Sequence, residues 1–581
     1  MNLKKIFYAI STIIFILVLF IIFIHPIPLD ILSNDLGRHL LLGKIIVTSG
    51  HVPTTNLLSY TFPDYPFINT HWFSEVILYL WHSVFGFNGL IILSVLLIAA
   101  AFFFVFIAAA RKFNLLLTII ISLIYLQVLS ERAQVRPELF SFLFLSVFIA
   151  ILYKYRQKYT RWIFALVPIE LLWVNTHIYF FTGIAVLLLF LIDAIISKKD
   201  TFTSKKSLTL FFVTLAAGLA TLGNPNFMKG ATYPLFVLNN YAVPVRENLN
   251  FFPSLNYFQN PTFLYFGISV SLLWIFLILS RKKMALIDYL LSAFFTFMAL
   301  FAIRNFPLFV FGAFVPSVKA TSNVVKCVSN KYFDQKTLLF NIMLFTLVCI
   351  AVIPSIKWNV DSHGLGLGVI DNAQAAVDFL TNNSLKGPIY NNFDIGNYLE
   401  YRLYPKEKVY VDNRPEAYPK EFFQNVYFPM QKSPAIFEQE SSKYNFTIIF
   451  LAHTDTSSGT KQLLSQLVKN NDWKMVYLNS TIVIFLKNIP SNQPVIKAHL
   501  IDQNNVPFSK VDLNDKNQVL QLANFFRHVG WEQPQLDMNL RFLDFDPTNC
   551  EALKNVVYLY QQQNNPVSSV YTAKYLQYCN K

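Results

Sequence analysis

Charge is scarce in this chain: Asp, Glu, Lys and Arg make up only 14% of 581 residues, against 54% hydrophobic, and mean hydropathy is +0.43. Soluble chains carry about a quarter charged residues, so the shortage excludes an ordinary soluble enzyme and leaves a polytopic α-helical membrane protein. Acids are scarcer than bases, 33 against 47, for a net charge of +14. No dense basic patch or binding motif accompanies that excess, which excludes nucleic acid as a partner. Basic residues gathered in cytoplasmic loops are the ordinary source of such a balance. Cysteine is scarce too. Cys327, Cys349, Cys550 and Cys579 show no CxxC spacing, so no structural zinc is implied. Cys550 and Cys579 fall in a tail placed outside the cytoplasm, where two free thiols are the expected state and a disulfide the alternative. Also missing are a P-loop, a GxGxxG turn, a GxSxG elbow and an HExxH helix.

What the chain has is apolar runs. Lys4 and Lys5 precede one of about 19 residues that ends at His25-Pro26 without a small-residue cleavage site, which points to a retained first span rather than a removed signal peptide. With it, runs near 6–24, 88–110, 114–129, 139–153, 162–174, 178–196, 207–222, 262–280, 284–303, 306–318 and 338–356 predict about 11 transmembrane helices. Roughly nineteen Lys and Arg fall in one set of connecting loops and about seven in the other, so the N-terminus is expected in the cytoplasm. An odd number of spans then puts the C-terminal tail outside. The inner (cytoplasmic) membrane of a cell is the expected location.

That topology sends the mixed polar residues to one face. The outer loop 27–87 holds Asp35, Arg38, His39, His51, Asp64, His71 and Glu75; later outer loops hold Glu131, Arg132, Arg136, Glu138, His177, Arg246, Glu247 and Arg304. Acids, imidazoles and guanidiniums collected beside lipid suit chemistry on a lipid-linked phosphate. A base must take a proton, and Asp35 is the candidate; its plain alternative is a helix N-cap. Arg38, Arg132, Arg136, Arg246 and Arg304 are candidates for the phosphate, because a guanidinium forks onto its oxygens and stays charged. Arg136 is expected to pair with Glu138, either facing a phosphate or as an internal staple. His71 and Glu75, four apart, share a face if helical, and with Asp35, His39 or His51 they leave a divalent metal open; the plainer reading is a helix-start cap at Ser74. His177 is ranked behind these, as a loop histidine. Residues 35–49 predict an interfacial helix with Arg38 and Lys44 on its polar side, capped by Asn34 or Asp35, and residues 73–85 a second one carrying Glu75 and His82.

From about residue 358 the composition turns soluble. PIYNN, KVYVDNR, FTIIFLAH and WKMVYLNSTIVIFLKN have strand character, while DNAQAAVDFLTNN and FDIGNYLEYRL read as helices. The expected organisation is a transmembrane unit over 1–357, an extracytoplasmic α/β domain over 358–490 and a helical segment over 491–581 resembling tetratricopeptide pairs, with DPTN at a turn. An Asp412–Arg414 pair is the favoured reading of VDNRPE.

The order of first span, Asn34-Asp35 in a long outer loop, interfacial helices, many spans and an external tail resembles the GT-C superfamily of integral-membrane glycosyltransferases. DLGRHLLLGKIIVTSGHVPTTNLLSYTFPDYPFINTHWFSE, VRPELFSFLF, LLWVNTH and FDIGNYLEYRLYPKEKVYVDNRPEAY look like a bacterial membrane-protein family related to it. The wider resemblance covers about residues 1–360. It implies a polyprenyl-phosphate sugar donor, an active site on the outer face and a loop aspartate as general base, which maps onto Asp35. Asn34 stands where the commonest pattern of that superfamily has a second acid. The competing expectations are a transporter or lipid flippase, which would place charges at mid-depth in broken helices, and a non-catalytic assembly scaffold.

Overall fold

A computed structural model describes residues 29–32, 35–110, 115–129, 132, 134–197, 204–237, 243, 245–257, 260–329, 335–364 and 366–579. The expected first span at 6–24, Asn34 and Glu131 lie outside the described residues.

Within hydrocarbon every peptide group must be satisfied inside its own segment, so the apolar runs fold as helices. In chain order these are α1 (Leu36–Ser49), α2 (Trp72–Ala110), α3 (Leu115–Leu129), α4 (Glu138–Gln157), α5 (Leu166–Thr176), α6 (Phe181–Ile196), α7 (Lys205–Ala220), α8 (Pro261–Leu279), α9 (Leu286–Phe301), α10 (Phe306–Ser329) and α11 (Gln335–His363). Among the described residues six helical stretches are long and apolar enough to cross a membrane: Trp72–Ala110, Glu138–Gln157, Ile178–Ile196, Pro261–Leu279, Ile303–Val325 and Ile342–Ser362. α3 and α9 are shorter apolar helices. The protein is therefore multi-pass, but by length these spans fall short of eleven. α5 and α7 coincide with expected spans yet run only 11 and 16 residues.

Aromatic packing ties the bundle together. Phe266 stacks on Phe306 at 4.2 Å and Tyr125 on Phe309 at 5.6 Å. At the helix ends away from Glu138, charges are paired rather than stranded: Arg156 donates to Asp193 at 2.7 Å, and Tyr153 and Lys319 both donate to Asp288. Unpaired, those carboxylates would carry a heavy desolvation cost.

Two expectations about the first outer loop change. Residues 72–85 do form a helix, but it runs on into the next span, interrupted only at Gly86, whose φ of 65° and ψ of −166° suit glycine. In α1, Lys44 is exposed as expected while Arg38 is only 8% exposed, because that side of the helix is covered by α2 and the C-terminal part. A Cβ at Gly43 would overlap the Glu75 carbonyl, so this glycine lets α1 lie directly on the start of α2.

The C-terminal part is built on a four-stranded sheet of β3 (Ile389–Asn391), β4 (Ile448–Ala452), β5 (Trp473–Leu478) and β6 (Ile482–Lys487), in the order β3-β4-β6-β5. β3 runs parallel to β4, and β6 lies antiparallel to both its neighbours. β1 (Leu29–Asp30) and β2 (Val369–Ile370) form a separate parallel pair. Alternation at period two splits the sheet's faces: Ile449, Leu451, Val483 and Phe485 share a core with Val519, Leu522, Phe525 and Phe526, while Ile448, Phe450, Ile482 and Ile484 share one with Ala376, Val377, Tyr398 and Leu399. The second set comes from α12 (Gln374–Asn382) and α13 (Gly396–Leu403), both expected from sequence.

KVYVDNR, expected as a strand, is an extended segment joined by single bridges from Val409 to Ile389 and to Ser59. Its backbone is divided between two partners. Asn391 takes the Tyr410 amide and the Val411 carbonyl, and residues 58–61 take both groups of Val409 and the Tyr410 carbonyl. It welds the first outer loop to the sheet. The chain ends in four helices, α14 (Lys516–Val529), α15 (Glu532–Phe545), α16 (Cys550–Gln562) and α17 (Ser568–Cys579). Cys550 and Cys579 are joined in a disulfide, not the two free thiols expected, because pairing of α16 with α17 brings their Cα atoms to 5.6 Å.

Candidate active site

Asp35 occupies the N-cap position of α1, yet its side chain makes no capping hydrogen bond. The carboxylate instead accepts from the Asn413 side-chain amide and lies 3.7 Å from the Arg38 guanidinium. Burial by itself pushes its pKa up; Arg38 foremost, then Arg136 and His39, outweigh that push and the opposing charge of Glu247, holding it below the ordinary aspartate value. Asp35 is thus an ionised carboxylate at neutral pH. It is also 35% exposed, so a small group can reach it.

Behind Asp35, α1 is pinned to α2. His39 meets Glu75 through its Nδ1 at 2.9 Å, and Asn69 donates to the other Glu75 oxygen at 2.6 Å. Both oxygens of this 1%-exposed carboxyl are occupied. Ser74 does not cap the helix: its hydroxyl donates to the carbonyls of His71 and Thr176, tying α2 to the end of α5. His71 and His177 continue the cluster, with ring centroids 5.7 Å apart for His39 and His71 and 5.1 Å for His71 and His177. Burial first drives both His71 and His177 well below the usual histidine range, helped at His71 by His177, His39 and Arg38 and at His177 by Arg304 and then His39, so both are neutral at pH 7. His177 also receives the Tyr179 amide and pairs with Ser141 at 2.9 Å, so it is a buried member of the cluster.

Tyr179 links the imidazoles to the arginines. Arg304 donates to its hydroxyl at 3.1 Å and to Asn248 at 3.2 Å. Arg132 and Arg136 both reach Glu247 at 3.0 Å. The expected Arg136–Glu138 pair is replaced: Arg136 goes to Glu247, and Glu138 lies 3.8 Å from Arg132. The chain turns into α4 at Pro137, so Arg136 reaches across to the loop after α7 rather than along its own helix. Although burial opposes it, Arg132, Arg136 and Arg304 hold the Glu247 pKa down at about 2. Two carboxylates, Glu247 and Glu138, among the three guanidiniums of Arg132, Arg136 and Arg304 leave one positive charge in surplus for an anion. Arg246 stands apart, exposed and donating to Thr456 at 2.6 Å.

The C-terminal part closes the site through Val411 to Glu416. Arg414, 1% exposed, donates to Asp412 at 2.8 and 2.7 Å and to Asn56 at 2.7 Å, and lies 4.8 Å from the Phe67 ring centre. Tyr418 donates to Asp412 at 2.7 Å. The Asp412–Arg414 pair read from sequence is present, and it grips the first outer loop. A Cβ at Gly396 would overlap the Val411 carbonyl, which is how α13 comes so close.

Asp35, Arg38, His39, His71, Glu75, His177, Arg132, Arg136, Glu138 and Arg304 thus converge, whereas His51 bonds locally to Ser49 and Asp64 is exposed away from the cluster. Sequence reasoning missed Asn413, Asn69, Tyr179 and the central place of Glu247. Only the VDNR run hinted at the first. Among the described residues no three His, Cys, Asp or Glu side chains are placed to hold a metal ion.

No family model matches the sequence, and no curated protein matches it either. Solved structures do match in shape. The archaeal oligosaccharyltransferase AglB from Archaeoglobus fulgidus, in complex with an inhibitory peptide and a dolichol-phosphate, superposes with a TM-score of 0.57 at 11% identity, over 94% of this chain and 86% of its own. The apo form of the Archaeoglobus fulgidus oligosaccharyltransferase gives 0.52 at 12% identity, over 95% and 86%. A form tethered to an acceptor peptide gives 0.51 at 10%, over 84% and 74%. From the membrane helices through the C-terminal part, this chain shares the fold of these oligosaccharyltransferases.

Proposed function

We propose that this protein transfers a sugar from a polyprenyl-phosphate donor to an acceptor hydroxyl on the extracytoplasmic face of the membrane, with Asp35 as general base. The observation that carries the reading is the placement of Asp35: a carboxylate free of its capping duty, partly exposed, and held ionised by Arg38 and Arg136. The acceptor oxygen attacks the anomeric carbon while Asp35 takes its proton. The carbon–oxygen bond to phosphate breaks, and the polyprenyl phosphate leaves with the electron pair. Arg132, Arg136 and Arg304, whose charge exceeds that of Glu247 and Glu138 together, steady the departing phosphate, with Arg38 and the exposed Arg246 at the margins. Glu75 and His71 act through His39, fixing the helix that carries Asp35, and Glu138 and His177 brace the arginine side. A dolichol-phosphate in the AglB complex supports a lipid-phosphate donor here.

The reading carries a topology: a cytoplasmic N-terminus, a further span at 6–24 and an external C-terminal part made of an α/β domain over 358–490 and tetratricopeptide-like helices over 491–581. The cluster of acids, imidazoles and arginines around Asp35 lies at helix ends covered by the C-terminal part, not in broken helices at mid-depth, which favours an enzyme over a transporter. The test uses full-length protein in liposomes with radiolabelled polyprenyl-phosphate sugars, scoring radioactivity released from the lipid phase. Wild type is expected to release at least one sugar, and Asp35→Asn to lose about a thousandfold or more, the upper part of what a positioned base contributes. Undiminished release by an Asp35→Ala protein that inserts normally sinks the proposal.

A further inference from the structure

Asn413, which is half-buried, differs from the buried asparagines Asn391, Asn392 and Asn479. Asn391, Asn392 and Asn479 each use both ends of the amide, donating to carbonyls and accepting from backbone amides. They are structural: each replaces a missing stretch of ladder. Asn413 donates its Nδ2 to Asp35, while its Oδ1 is buried without a hydrogen-bond partner. The orientation is forced, since an ionised carboxylate can only accept. Nearby, the Nε of Arg38 is buried and likewise unfilled. Asn413 by a hydrogen bond and Arg38 by its charge thus both hold the Asp35 carboxylate, from opposite ends of the sequence.

The backbone delivers Asn413 to this place with little freedom. Both neighbours are locked: Asp412 and Arg414 are 0% and 1% exposed and joined by three hydrogen bonds, counting the Arg414 amide to Asp412 at 2.9 Å. Asn413 sits between them on the segment that clasps the first outer loop.

We propose that Asn413 is a positioning residue for Asp35, supplied by the C-terminal part. It holds the carboxylate in one rotamer and keeps it ionised, so that the base is competent only when that part is docked on the membrane helices. The inference rests on the reading of Asp35 as the base. The titratable and charged groups facing Asp35 are Arg38 and His39 from α1, Arg136 ahead of α4, Glu247 from the loop after α7, and Asp394 from the C-terminal part. Their net effect is favourable to the anion, and the Asn413 amide adds a donor aimed at one oxygen. Removing it raises the carboxyl's pKa; replacing it with a second carboxylate raises it further.

The primary readout does not need turnover. A water-soluble carbodiimide with an amine attacks carboxyls in their protonated form, so the pH midpoint of Asp35 labelling in full-length protein, followed by peptide mass spectrometry, reports its titration. Asn413→Ala is expected to move that midpoint up by about one pH unit, and Asn413→Asp by about two or more. Asn413→Gln, able to reach the same oxygen, is expected to restore part of the shift. In the liposome assay, release of sugar by Asn413→Ala falls about tenfold, and its acidic limb moves to higher pH with the labelling midpoint. A variant that fails to fold is recognised by loss of the cooperative thermal transition that wild type shows in detergent. The contact itself is tested separately by an Asp35→Cys, Asn413→Cys pair, expected to be joined by a short bifunctional thiol reagent because the two side chains meet tip to tip. Unchanged labelling midpoints in both folded variants overturn the inference. If Asp35→Asn retains activity while the midpoints shift as expected, the base assignment fails and the contact stands.

Discussion

Replacing Arg414 by Met removes a buried cation while keeping an apolar stem of similar reach. Asp412, 0% exposed, then loses the guanidinium 2.7 Å away, and the equally buried Glu400 loses the same group at 3.7 Å. Breaking a buried pair from one side costs about 3–5 kcal/mol, and the Asn56 oxygen that loses its donor adds about 1 kcal/mol. A loss of about 4–6 kcal/mol lowers the unfolding midpoint by about 8 °C or more if the C-terminal part melts as a unit of ordinary domain size. The pH dependence separates this account from a packing defect. In wild type, burial opposes and Arg414 outweighs, holding Asp412 at about 2, so its contribution is fully present above about pH 4 and lost only as pH falls towards 2. In the variant the same carboxyl, buried beside Glu400 without the cation, titrates above its unfolded value, and stability falls as pH rises from 4 to 8. The two proteins therefore have different slopes across that window. Tryptophan fluorescence melts in detergent at five pH values between 4 and 8 measure both the gap and the slope. Adding Asp412→Asn to Arg414→Met removes one stranded charge and is expected to recover about half the loss. A variant that melts within 2 °C of wild type at neutral pH, or runs parallel to it, refutes the reasoning.

Glu247→Gln removes the carboxylate shared by Arg132 and Arg136; a shift from 4.5 to about 2, discounted for a side chain 30% exposed, corresponds to about 2 kcal/mol at neutral pH. Because the folded pKa is depressed, the wild-type advantage over the variant is present above about pH 4.5 and disappears as pH falls towards 2, which paired melts check. Separating Cys550 from Cys579, 29 residues apart, by Cys579→Ser releases the loop they close and is expected to cost about 3–4 kcal/mol in the terminal helix pair. Limited proteolysis reads this as earlier cleavage in the α16–α17 connection; equal cleavage rates contradict it.

Much of the fold was legible because its signals are local. An apolar run folds as a helix whatever surrounds it, and Ala376, Val377 and Leu380 mark the buried side of α12 by spacing alone. Where sequence reasoning erred, backbone or charge was shared between distant partners. KVYVDNR carries strand residues, yet its groups are claimed by Asn391 and by residues 58–61. Arg136 has Glu138 two residues away and chooses Glu247, 111 residues on, because the turn into α4 aims it there. Arg38 is polar by type and buried by position.

The amino-acid order alone determined that this chain lives in a bilayer, where its helices run, and that acids, imidazoles and guanidiniums collect in one set of loops. These follow from hydropathy and period, which need no partner. Tertiary structure decided which charges meet: that Asp35 abandons its helix cap for Asn413, 378 residues later, and that three arginines gather around Glu247 and Glu138. Electrostatic energy depends on distance in space, and the chain brings those atoms together only when the C-terminal part folds back onto the membrane helices.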